Sequence, residues 1–105
     1  MNITELLTFI KTTQQQELSV LEAKANDYAN TNIFSNFEQT AIMCQLPVDK
    51  VFQVMCGIKF CRIVELTSGK TPKFESIDDT LLDFSNYIKL YRAYLTNKEN
   101  NGDRS

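Results

Sequence analysis

The stretch PVDKVFQVMCGIKFCRIVELT, residues 47–67, decides the fold. At 100° per residue, its apolar side chains Val51, Phe52, Val54, Met55, Cys56, Ile58, Phe60, Cys61, Ile63, Val64 and Leu66 take up nearly the whole circumference of a helix. It shows no period-2 alternation bounded by turn residues, so it does not read as a strand. A helix that is apolar all round belongs in the middle of a bundle, largely buried. Pro47 suits its first turn, where a missing amide hydrogen costs nothing, and Asp49 complements the helix dipole. Ser68-Gly69 stops it. Arg62 falls on the line of Val51, Met55 and Ile58, with Glu65 and Lys59 about 60° to either side. Charges at such positions are costly unless they are paired.

Outward from this helix, a loop through Lys70-Thr71-Pro72-Lys73 leads to Ser76-x-x-Asp79, which predicts the start of another helix reaching about Leu95. Ile77, Leu81, Phe84, Ile88, Tyr91 and Leu95 form its apolar stripe. Roughly opposite, Glu75, Asp79 and Asp83 are spaced four apart and Asn86 follows three later, all within an arc of roughly 80°. On the other side, Ser35-x-x-Glu38 predicts a short helix ending near Leu46, with Phe37, Ala41, Ile42 and Cys44 to bury. Asn30-Thr31-Asn32 separates it from a first helix that starts at the capping box Asn2-x-x-Glu5 and runs to about Ala29. That first helix carries Ile3, Leu7, Ile10, Leu18, Leu21, Ala25 and Tyr28 on one side, with Glu17 and Lys24 near the edge. The expectation is an all-α, four-helix bundle-like domain over residues 1–95, followed by a polar flexible tail at 96–105.

Composition narrows the chemistry. The chain has 105 residues, of which 43% are hydrophobic, enough for one real core without disulfides. Its cysteines, Cys44, Cys56 and Cys61, form no C-x-x-C pair and sit in apolar stretches, where they read as small core residues. Histidine is absent, which excludes imidazole general bases, Ser-His or Cys-His pairs and His-ligated metals. A net charge of −2 supplies no field for a nucleic-acid backbone, so no nucleic acid is expected as a partner. The first ten residues contain Glu5 and no basic region, and no apolar run approaches the ~20 residues of a membrane span. No membrane partner and a cytoplasmic location are expected. Tyr87, Tyr91 and Tyr94 read as packing or interface residues.

Like carboxylates one turn apart repel, so something cationic should face the row of acids. In one reading the acids Glu75, Asp79 and Asp83 bind Mg²⁺ while Lys24, Lys59 and Arg62 hold phosphate oxygens, because hard divalent ions reach phosphates through one or two carboxylates. In the other, Arg62 and Lys59 make interhelical ion pairs with Asp79, Asp83 or Glu65 and nothing binds there, or the row is merely a solvated face.

The segments KANDYA (24–29), IFSNFEQTA (33–41), the K-x-x-R of Lys59 to Arg62, and ESIDDTLLDFSNYIKL (75–90) resemble small phage and prophage proteins of the nucleotide modification associated domain type. That family is in turn distantly similar to MazG-like all-α NTP pyrophosphatases. The resemblance covers residues 17 to 95, and E-S-I-x-D-T-L-L-D-x-x-N-Y is its most specific run. In the MazG-like enzymes an E-x-x-E pair and an E-x-x-D pair bind Mg²⁺ and the nucleotide triphosphate. Glu75-x-x-Asp78 can be laid on the second pair, whereas no E-x-x-E exists in this chain and Glu17 and Glu22 are five apart. The resemblance therefore implies a phage-type nucleotide-binding protein assisted by Mg²⁺, with pyrophosphohydrolase activity as an open possibility, in the host cytoplasm if phage-encoded. In it, Glu75, Asp79 and Asp83 would hold the metal. Glu17 and Glu75 would serve catalysis, and Lys24, Lys59, Arg62 and Asn86 would bind the nucleotide. The alternatives are a non-catalytic binder of a modified or signalling nucleotide and a helical protein-interaction module. A homodimer is expected because the third helix is apolar all round and Tyr87, Leu90 and Tyr94 lie beyond the fourth helix's own stripe.

Overall fold

A computed structural model of the chain describes residues 1–25, 32–69 and 76–102, except for the side chains of Lys24 and Ala25. The fold is all-α, as expected, with no strand among the described residues. Its helices are α1 (Ile3–Ala25), α2 (Ser35–Cys44), α3 (Val48–Thr67) and α4 (Ile77–Asn100). They fall into two compact units, Met1–Ile33 and Phe34–Ser105.

In the first unit the predicted capping box forms. Asn2 Oδ1 accepts the Glu5 N–H at 2.8 Å and Glu5 Oε2 accepts the Asn2 N–H at 3.3 Å, so two backbone donors that the helix leaves open are satisfied reciprocally. The expected continuation to Ala29 lies outside the described residues.

The second unit is built around α3. The box predicted at Ser35 does not form: Ser35 is already helical, and Phe34 holds the N-cap position with no side-chain bond. Phe34 is buried, its ring edge-on to Tyr94 at 5.4 Å, so ring packing fixes this helix start. At the other end Gln45 turns left-handed (φ 56°), its N–H donating to Ile42 O and the Leu46 N–H to Ala41 O, a Schellman stop. Pro47, extended at ψ 150°, becomes the N-cap of α3, one residue outside the helix it was expected to join. The chain bends 100° between α2 and α3. Ser76 caps α4 as predicted, its Oγ accepting the Asp79 N–H at 3.1 Å. This helix then runs past the expected end near Leu95 and through the start of the expected tail to Asn100. Lys98, in its last turn, lies 5.5 Å over the Tyr94 ring and complements the dipole.

α3 and α4 pack antiparallel, with Phe52 against Tyr91, Lys59 against Asp83 and Phe60 against Phe84. The core is an aromatic stack. Phe52 is fully buried, stacked on Phe37 at 4.2 Å and on Tyr91 at 5.0 Å, with Tyr94 tilted against it at 5.5 Å. Three expectations about burial are corrected here. α3 is not buried along its length: Val51 and Phe52 are, but Val54, Ile58, Phe60 and Val64 are more than half exposed. The side of α4 that faces inward is the line Ile77, Thr80, Phe84, Tyr87, Tyr91, Tyr94 and Lys98, rotated from the expected stripe, so that Leu81, Ile88 and Leu95 are exposed. Tyr91 stacks on Phe52 while its hydroxyl accepts a hydrogen bond from exposed Gln53, which a leucine cannot do. Among the cysteines, Cys44 and Cys61 are exposed and only Cys56 is half-buried, because each follows the uncovered sides of α2 and α3.

Candidate functional site

The charged end of the α3–α4 pair holds the residues singled out from the sequence. Lys59 leaves the middle of α3 toward α4 and its Nζ donates to Asp83 Oδ2 at 3.3 Å. The lysine side chain is 22% exposed and the carboxylate 51%, so the ammonium stem is covered while the acid stays wet. Such a pair contributes about 0.2–1 kcal/mol. One turn on, Arg62 Nη1 donates to Glu65 Oε2 at 3.0 Å on the same helix, with both side chains well exposed. Neither arginine nor lysine is therefore the deeply buried charge that the helical wheel implied, because this part of α3 is open on one side.

Asp79 and Asp83 are exposed carboxylates one turn apart on α4, with Asn86 exposed beyond them. Asp79 contributes its backbone N–H to the Ser76 cap. The structure thus brings Asp83 to Lys59 and Arg62 to Glu65. Glu75 lies outside the described residues, as does the side chain of Lys24, and Glu17 belongs to α1 in the other unit. Among the described residues no group of three or more His, Cys, Asp or Glu side chains is placed to hold a metal ion. Asp79 and Asp83 would be the two carboxylates available to Mg²⁺, which commonly completes its shell with water and phosphate oxygens.

A polar link that sequence reasoning missed joins the aromatic end of the same helix pair. Lys50 Nζ donates to Gln53 Oε1 at 3.1 Å, and Gln53 Nε2 donates to the Tyr91 hydroxyl oxygen at 3.2 Å. The signal was present, since Gln53 is the lone polar side chain between Val51 and Ile58. Burial also pushes the Cys56 thiol above its ordinary value. Near the start of α3, Asp49 Oδ1 is buried and accepts no hydrogen bond, a position where the helix N-terminus compensates a carboxylate.

The surface carries open grooves. One of about 530 Å³ runs between α3 and α4 and is strongly apolar, lined by Phe60, Ile63, Leu81, Phe84 and Ile88. Another, of about 550 Å³, follows α3 alone along Val54, Gly57, Ile58 and Cys61, with Lys59, Arg62 and Glu65 at its border. No single helix among the described residues is long and apolar enough to cross a membrane. Compared with family models, with curated proteins and with solved structures, the chain matches none.

Proposed function

We propose that this chain is a helical protein-interaction module whose binding surface is the open side of α3. One observation carries this reading: beyond Phe52, the helix turns Val54, Ile58 and Val64 outward, each more than half exposed, on one side with exposed Gly57 and Cys61 between them. Monomeric proteins rarely leave so many large apolar side chains together in water, and a polar border of the kind supplied by Lys50, Arg62 and Glu65 is typical of an interface. The nearby charges act as structural ion pairs, Lys59–Asp83 joining α3 to α4 and Arg62–Glu65 lying along α3.

A second reading is favoured by the exposed pair Asp79 and Asp83 with Lys59 beside it. Here the chain binds a nucleotide with Mg²⁺, Asp79 and Asp83 holding the ion while Lys59 and Arg62 meet phosphate oxygens. With no E-x-x-E in the sequence, this reading leans to binding over hydrolysis. Melting temperatures measured over a panel of nucleoside triphosphates, with and without Mg²⁺, separate the two. The interaction module predicts no shift. A Mg²⁺-dependent shift that disappears in Asp83→Asn overturns it in favour of the nucleotide site.

A further inference from the structure

The partner of the open α3 face is inferable from its ends. Lys50, Val54, Gly57, Cys61 and Val64 follow each other at alternating spacings of four and three, so they form one straight seam, flanked by Ile58 and Glu65. All seven are exposed. The seam begins with a cation and finishes beside an anion, with an apolar middle.

We infer that this seam is where a second copy of the chain docks, α3 against α3 in antiparallel direction across a two-fold axis between Gly57 and Ile58. The inference rests on the interaction-module reading and names the partner. In an isologous pair, a contact from residue i to residue j is repeated from j to i. Running the second helix in reverse sets Lys50 of each copy against Glu65 of the other and Val54 against Cys61, while Ile58 of each copy meets Gly57 of the other beside the axis. A parallel pair would instead set Lys50 against Lys50 and Glu65 against Glu65, which repels.

Gly57 provides an independent reason. Glycine within a helix lowers its stability, and nothing in the unit requires it, because a side chain built at Gly57 would meet no atom within 4 Å. At the crossing of two helices the missing side chain lets the backbones approach closely.

The test is the mass of the full chain by size-exclusion chromatography with light scattering over a range of concentrations. The parent protein should run as two chains of 12.1 kDa. Lys50→Glu and Glu65→Lys should each raise the dimer dissociation constant about tenfold, since one substitution alters two symmetric pairs. The double variant Lys50→Glu/Glu65→Lys restores opposite charges at both ends and should return to within about threefold of the parent. Gly57→Leu, which has room within the unit, should keep the helical circular dichroism spectrum and lose the dimer. Single reversals without effect, or a double reversal no better than the singles, overturn the antiparallel seam. A parent protein that stays monomeric at high micromolar concentration overturns self-docking and points to a different protein. The interaction reading itself falls only on the Mg²⁺-nucleotide shift described above.

Discussion

The two halves of α3 are equally apolar in sequence and are treated oppositely by the fold. In the first half Val51 and Phe52 are buried, Phe52 completely, within rings from α2 and α4. In the second half Ile58, Phe60 and Val64 are each more than half exposed, and the charged residues there pair beside them. The cause is direction. The chain turns 100° between α2 and α3, so α2 lies across α3 rather than along it and covers only the end nearest the turn that joins them. α4 runs the full length of α3, but its three tyrosines sit toward the first half, while Phe84 and the acids Asp79 and Asp83 sit toward the second. Hydrophobicity thus marks what must be covered, while the direction of the neighbouring helix sets what is covered within one unit.

The largest effect expected from this contrast is a difference between two substitutions on the same helix. Phe52→Ala should destabilise the protein by about 3–5 kcal/mol, because it empties the centre of the stack. Ile58→Ala, six residues beyond Phe52 and 55% exposed, should cost less than about 1 kcal/mol when measured at concentrations too low for association. Chemical denaturation of both variants checks the pair, and equal losses would mean that the second half is also core. Next in size, Ser76→Ala removes the one side-chain cap of the second unit's described helices and should cost about 1 kcal/mol by the same measurement.

Smaller still is the Lys59–Asp83 coupling. A double-mutant cycle with Lys59→Met and Asp83→Asn should return a coupling energy under about 1 kcal/mol that shrinks as salt is added. A coupling of several kcal/mol would show a pair far drier than its exposure implies. The smallest effect concerns Cys56. Burial favours its neutral thiol, so the folded protein keeps this proton to higher pH than the unfolded chain does. Its contribution is therefore complete below the ordinary thiol value of 9.0 and is lost as pH rises from there through the raised folded value. Stability should fall less steeply above pH 9 in Cys56→Ala than in the parent, and alkylation should be slower at Cys56 than at exposed Cys44 and Cys61.

The site was legible only in part. Lys59, Arg62 and the acids of α4 stand out because charges interrupt an apolar pattern, and the sequence offers Asp79, Asp83 or Glu65 as their partners without choosing among them. Which acid each cation meets depends on the axial register of α3 against α4, and a single-helix wheel contains no such register. Gln53 illustrates the remaining gap, since its lone polarity was plain but its partner, Tyr91, lies 38 residues away.

What the sequence by itself determined are the features written in local chemistry: helices throughout, the capping box at Asn2 and Glu5, the Ser76 cap, and the break before Pro47. Each depends on backbone groups within a few residues, so the pattern alone suffices. Tertiary structure alone decided where ring packing competes with local rules. It moved the start of α2 from a Ser35 cap to buried Phe34, and rotated α4 so that tyrosines rather than leucines face Phe52. It also left half of α3 open. Those outcomes follow from the shapes of side chains meeting across helices and from the angle at which those helices cross, and neither is encoded in the periodicity of any one segment.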